Sequence, residues 1–112
     1  MYRNPHQRQD HFSLLLHREA AAALVADEWL FDRAEQILLR WKARHGMNAP
    51  RDWDVWLGIL NAANGRAEAI KMMTSEDERA TRLRQSSPFS TLVSQRRRLE
   101  ILRGLRDDAR AT

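Results

Sequence analysis

A chain of 112 residues with 43% hydrophobic and 30% charged residues has room for one modest core and the composition of a globular domain. Cysteine is absent, which excludes a disulfide framework and a thiolate metal site and suits the cytoplasm. The net charge of +4 points toward acidic partners, and the longest small-apolar run, 20–26, is too short to span a bilayer.

Residues 1–9 read as a flexible arm, polar and without the apolar stretch of a secretory leader. From Asp10 the pattern turns helical, with Phe12, Leu16, Ala20, Ala23 and Leu24 on one stripe. Asp27 is a candidate N-cap for a second helix, although propensity leaves open whether the two helices are continuous. Leu30, Ala34, Ile37, Leu38 and Trp41 then recur at helical spacing, opposite a face carrying Asp32, Arg33, Glu35, Gln36, Arg40 and Lys42, until Gly46 stops the run. Pro50 opens a third helix whose Trp53, Trp56, Leu57 and Leu60 make one apolar face, and Asn64-Gly65 ends it. A short segment with Ile70, Met72 and Met73 follows. Ser75 and Glu78 match a capping box for a fifth helix with Ala80 and Leu83 facing inward. Ser87-Pro88 repeats the cap-then-proline logic at an elbow. Ser94 can cap a last helix carrying Ile101, Leu102 and Leu105, and 107–112 should fray. No run alternates as a half-buried strand does. The expected fold is therefore all-α, one domain over 10–106 built as a bundle of five or six helices, with Leu16, Leu30, Ile37, Leu38, Trp41, Trp53, Trp56, Leu57, Leu60 and Leu83 in its core.

Catalytic chemistry finds no foothold. The four histidines (His6, His11, His17, His45) lack zinc-helix spacing, Ser86 and Ser87 have no local base, and no Gly-rich phosphate loop exists. Neither cofactor, metal nor small-molecule substrate is expected. The tryptophans could stack on bases, but Trp41, Trp53 and Trp56 lie on core stripes, which leaves Trp29 as the one to watch.

Charge is the distinctive feature. Seven arginines against one glutamate lie between Arg82 and Arg106, so that this span carries +6 and the remainder is mildly acidic. Arg96-Arg97-Arg98 opens the last helix, with Arg103 on the face of Arg96, and Arg82 and Arg84 lie across the elbow. A short charge run is usually a solvated face; the clustering argues for a binding role.

Several stretches together resemble a group of small bacterial antitoxins that partner nucleotidyltransferase-type toxins. They are Leu16-His17-Arg18, Arg40-Trp41, Trp53 with Trp56, and above all Leu83-Arg84-Gln85-Ser86-Ser87-Pro88-Phe89 followed by Leu92 and Ser94. The similarity spans about residues 14–103, and Gln95-Arg96-Arg97-Arg98 replaces the Pro/Glu-containing helix start of the group. The resemblance implies a non-catalytic, cytoplasmic protein that occludes a cognate toxin. The resemblance supplies Arg84, Gln85, Ser86, Ser87, Pro88 and Phe89 as contact residues, and the charge cluster adds Arg82, Arg96, Arg97, Arg98 and Arg103, with arginines set against toxin carboxylates. The rival expectation is a DNA-binding regulator in which residues 76–84 and 95–106 form a basic helix-turn-helix.

Overall fold

The computed structural model describes residues 4–111, with side chains through residue 108; the start of the expected arm and the end of the expected tail lie outside these residues. Six α-helices run in order, α1 Pro5–Ala26, α2 Trp29–His45, α3 Arg51–Asn61, α4 Gly65–Thr74, α5 Glu78–Arg84 and α6 Gln95–Ala111. Short 3-10 turns occupy Gly46–Asn48 and Phe89–Leu92, and no strand occurs among the described residues. The molecule measures 43 × 32 × 25 Å. No helix among the described residues is long and apolar enough to cross a membrane.

α1 is the spine, packed by α2, α4, α5, α6 and the 89–92 turn. It begins at Pro5 rather than near Asp10, so residues 5–9 are helix and not loose arm. The reason is a cap: Asn4 Oδ1 accepts from the Gln7 amide at 2.9 Å, and Pro5 occupies a first-turn position where no amide is needed. α1 and α2 are separate helices. Asp27 turns extended (φ −141°, ψ 93°), and its carboxylate accepts from the Trp29 amide at 3.1 Å. Gly46 ends α2 at φ +55°, a conformation suited to glycine.

α5 starts one step differently from the capping-box expectation. Asp77, not Ser75, is the N-cap: its Oδ1 accepts from Ala80 N at 2.8 Å, while the Ser75 hydroxyl holds Oδ2 at 2.6 Å. Ser75 is already committed as the extended C-cap of α4, so it orients the cap instead of being it. Ser94 does cap α6, accepting from Arg97 N at 3.1 Å. α6 continues through Ala111, since no proline or glycine follows Leu105 to stop it.

The core holds Leu16, Leu24, Leu38, Trp56, Met73, Leu83 and Phe89, all but Leu16 fully sealed from solvent. Trp56 hangs its indole N–H on the Leu83 carbonyl at 2.8 Å, so a polar handle inside the core is satisfied. Trp53 is buried as expected. Trp41, Leu30, Ile37, Leu57 and Leu60 are only half-buried: α2 packs on α3 along one side and leaves part of this stripe open.

The α3–α4 joint depends on Gly65. A Cβ there would lie 2.3 Å from the Ile59 carbonyl oxygen and 2.8 Å from that of Leu60, both backbone atoms that cannot step aside cheaply. Gly65→Ala is therefore expected to lower the urea-unfolding free energy by about 1–3 kcal/mol. Gly58→Ala, in mid-α3 with nothing within 4 Å of the new methyl, should stabilise by up to about 1 kcal/mol. Equal effects at the two positions would refute the close-approach account.

Candidate functional site

The elbow between α5 and α6 folds because its local bonds close it. The Ser87 hydroxyl accepts from the Phe89 amide at 3.0 Å, Pro88 starts the 3-10 turn, and Thr91 Oγ1 donates to the Pro88 carbonyl at 2.6 Å. Phe89 then enters the core edge-on to Trp56, centroids 5.4 Å apart, and to Phe31 at 6.4 Å. Arg84 turns inward as well. Its guanidinium donates to the carbonyls of Met72 and Ser75 and to Thr81 Oγ1, lacing the end of α4 to α5. Arg84 is only 4% exposed, and its Nε has no partner. Burial pushes its pKa below the ordinary arginine value, and the carboxylates of Asp10 and Asp77 oppose that shift.

The sequence-derived contact set is thus split. Arg84, Ser87, Pro88 and Phe89 lie inside the fold and shape the elbow, with Ser87 at the edge of a hollow beside Trp53 and Arg84 at the edge of one beside Asp10. Arg82, Gln85, Arg96, Arg97 and Arg103 are exposed, with Ser86 and Arg98 half-buried.

Even the exposed arginines are largely occupied. Arg97 bridges Glu19 of α1 at 2.6 Å and Glu100 at 2.9 Å, and those carboxylates raise its pKa further. Arg96 reaches Glu100 at 3.5 Å, Arg82 reaches Asp52 of α3 at 3.6 Å, and Arg98 donates to the Ser90 carbonyl. Arg97 and Arg98, with buried Ile101 and Leu105, dock α6 onto α1 and the elbow. The +6 of the linear sequence is therefore partly cancelled in space by Glu19 and Asp52.

A second feature lies along α2. A groove of about 630 Å³ runs between α2 and the 89–92 turn, lined by Trp29, Arg33, Gln36, Ile37, Arg40 and Thr91 over a floor of Trp41. Trp41 is shared with an adjoining hollow of about 400 Å³, where His45 and Trp53 face Gln85, Ser86 and Ser90 of the elbow. Trp41 stacks on Trp53 at 5.4 Å, and His45 meets the same indole at 5.2 Å. Neither hollow contains a carboxylate. Trp29, 67% exposed, stands at one end. Sequence reading placed Arg33, Gln36 and Arg40 on a solvated face; the missed signal was an indole at Trp29 followed by Arg33, Ile37 and Trp41 at successive i+4 steps.

His17 is the remaining polar group of note, read from sequence as a surface histidine and found fully buried in α1. Its Nδ1 lies 2.7 Å from the Ser13 carbonyl, an acceptor only, so Nδ1 carries the proton; Nε2 has no partner. Burial lowers its pKa from 6.5 to about 4, the Ser13 bond opposes that, and Arg84 and Arg98 add repulsion. As pH falls below 6.5 the unfolded chain takes up a proton that the folded chain refuses until about 4, so this stabilisation is complete above that window and lost within it. Between pH 7 and pH 4 His17 is expected to withdraw about 2–3 kcal/mol. Urea midpoints measured across that range should fall more steeply for the wild type than for His17→Gln; parallel slopes would remove His17 as the cause.

No group of three or more His, Asp or Glu that could hold a metal ion occurs among the described residues. Set against family models, curated proteins and solved structures, the chain finds no match.

Proposed function

We propose that the chain is a non-catalytic binding protein that holds a nucleotidyltransferase-type toxin inactive by covering its working surface. One observation supports this most. The seven residues that carry the antitoxin resemblance, Leu83–Phe89, form a bracket whose inner members fix the elbow and whose outer members, Gln85 and Ser86, wall a carboxylate-free hollow beside α2. Such toxins work through metal-binding carboxylates, and a surface with arginines and no acidic lining is complementary to them. The regulator reading is served less well. A helix-turn-helix joins its helices by a turn of about 3–4 residues, whereas residues 85–94, including a 3-10 turn, separate α5 from α6.

Co-expression tests the proposal. The protein should restore growth to cells producing the toxic product of the adjacent gene and should co-purify with that product. A harmless neighbour, together with salt-sensitive binding of duplex DNA by the isolated chain, would replace the antitoxin with the regulator.

A further inference from the structure

We infer that the groove along α2 seats an acidic helical segment of a protein partner, with carboxylates on Arg33 and Arg40 and an apolar side chain between them against Trp29 and Trp41. The inference deepens the preceding reading and rests on it only for the partner's being a protein.

Free charge is the first argument. Arg66, Arg82, Arg96 and Arg97 are tied to carboxylates and Arg84 is buried; Arg103 and Arg106 of α6 are also unpaired among the described residues but do not line the groove. Arg33 and Arg40 make no ion pair or hydrogen bond among the described residues, and no acidic residue lines the groove between them. An acidic ligand would therefore meet two cations without displacing an internal counter-charge.

Spacing is the second. Arg33 and Arg40 are seven residues apart on one helix, which places them on the same face about 10.5 Å apart along its axis. Carboxylates seven residues apart on a facing helix have the same repeat, the helix-in-groove arrangement. Between the two arginines the floor is apolar, with Ile37 and Trp41 half-buried, and Trp29 offers a large uncovered indole at the end. An exposed aromatic beside arginines is the composition of an interface centre.

A nucleic acid fits less well. Phosphate binding draws on a continuous track of cations, several contacts deep. Here the arginine run on α6 is interrupted by Glu19 and Glu100, and the groove supplies two cations.

The test uses the full-length protein and a fluorescein-labelled helical peptide with two glutamates seven positions apart and leucines between them. Anisotropy should report salt-sensitive binding that Arg33→Glu with Arg40→Glu weakens by about tenfold or more. Arg106→Glu, at an exposed position of α6 outside the contact set, should leave it unchanged. Far-ultraviolet circular dichroism should match for all variants. Absence of peptide binding, an equal loss in the α6 variant, or tighter binding of oligothymidine through Arg33 and Arg40 would each overturn the assignment. The two readings fail separately. Loss of rescue by the wild type with peptide binding intact sinks the antitoxin; full rescue by the Arg33→Glu, Arg40→Glu variant sinks the groove.

Discussion

Phe89→Ala is expected to destabilise the fold by about 3–5 kcal/mol, the range for deleting a fully buried phenyl ring. Phe89 has no solvent exposure and stands edge-on to Trp56 with an interplanar angle of 69° and to Phe31 at 78°. The ring therefore joins the elbow to α3 and α2 at once, and little around it can collapse into the space. Two indirect effects should accompany the loss. The Ser87 hydroxyl would keep its bond to the residue 89 amide, so the turn itself would persist locally. Its register against α2 would loosen, and with it the wall formed by Ser86 and Ser90. Urea unfolding should show the lowered midpoint. Trp41→Ala, which removes a half-buried ring, should cost less than Phe89→Ala. A reversal of that order would mean that the elbow hangs on the surface and α2 carries the core.

The helices were legible because their apolar residues recur at helical period and their ends carry local chemistry: Asp27, Gly46, Pro50, Gly65 and Ser94 each act at a boundary. Where the reading missed, the determinant lay outside its window. Pro5–Gln9 is helical because of one side-chain cap on Asn4, not because of an apolar stripe. His17 sits inside because α1 is wrapped by several elements, so its buried arc is wider than the stripe of a surface helix. Charge counting along the chain found the arginines of 82–106 but not their neutralisation, since Glu19 and Asp52 reach them from helices distant in sequence. The groove beside α2 and the hollow adjoining it are likewise products of tertiary placement: Thr91 lines the first and Ser90 the second, from a turn some fifty residues on from Arg40. Local rules therefore recovered the elements, while the surface that a partner would meet is set by their packing.

Arg84→Ala is the second large effect, and it separates a structural role from a contact role. Arg84 donates to the Met72 and Ser75 carbonyls at the end of α4 and to Thr81 Oγ1 within α5. Alanine removes the fork and leaves two backbone acceptors facing a vacated space, each worth roughly 1–3 kcal/mol when buried and unpaired. Water entering the gap would recover part of that, so a loss of about 2–5 kcal/mol is expected. Arg84→Lys should recover little, because one ammonium cannot span the same three acceptors in a planar fork. Arg84→Met should fall between, keeping the packing of the stem without the hydrogen bonds. In a binding assay with a co-purifying partner, weakening by Arg84→Ala should follow the fraction of unfolded protein and should vanish when temperature is lowered enough to restore folding. If Arg84→Ala keeps full stability yet accelerates dissociation, the guanidinium turns outward in the complex, and Arg84 belongs to the contact surface after all.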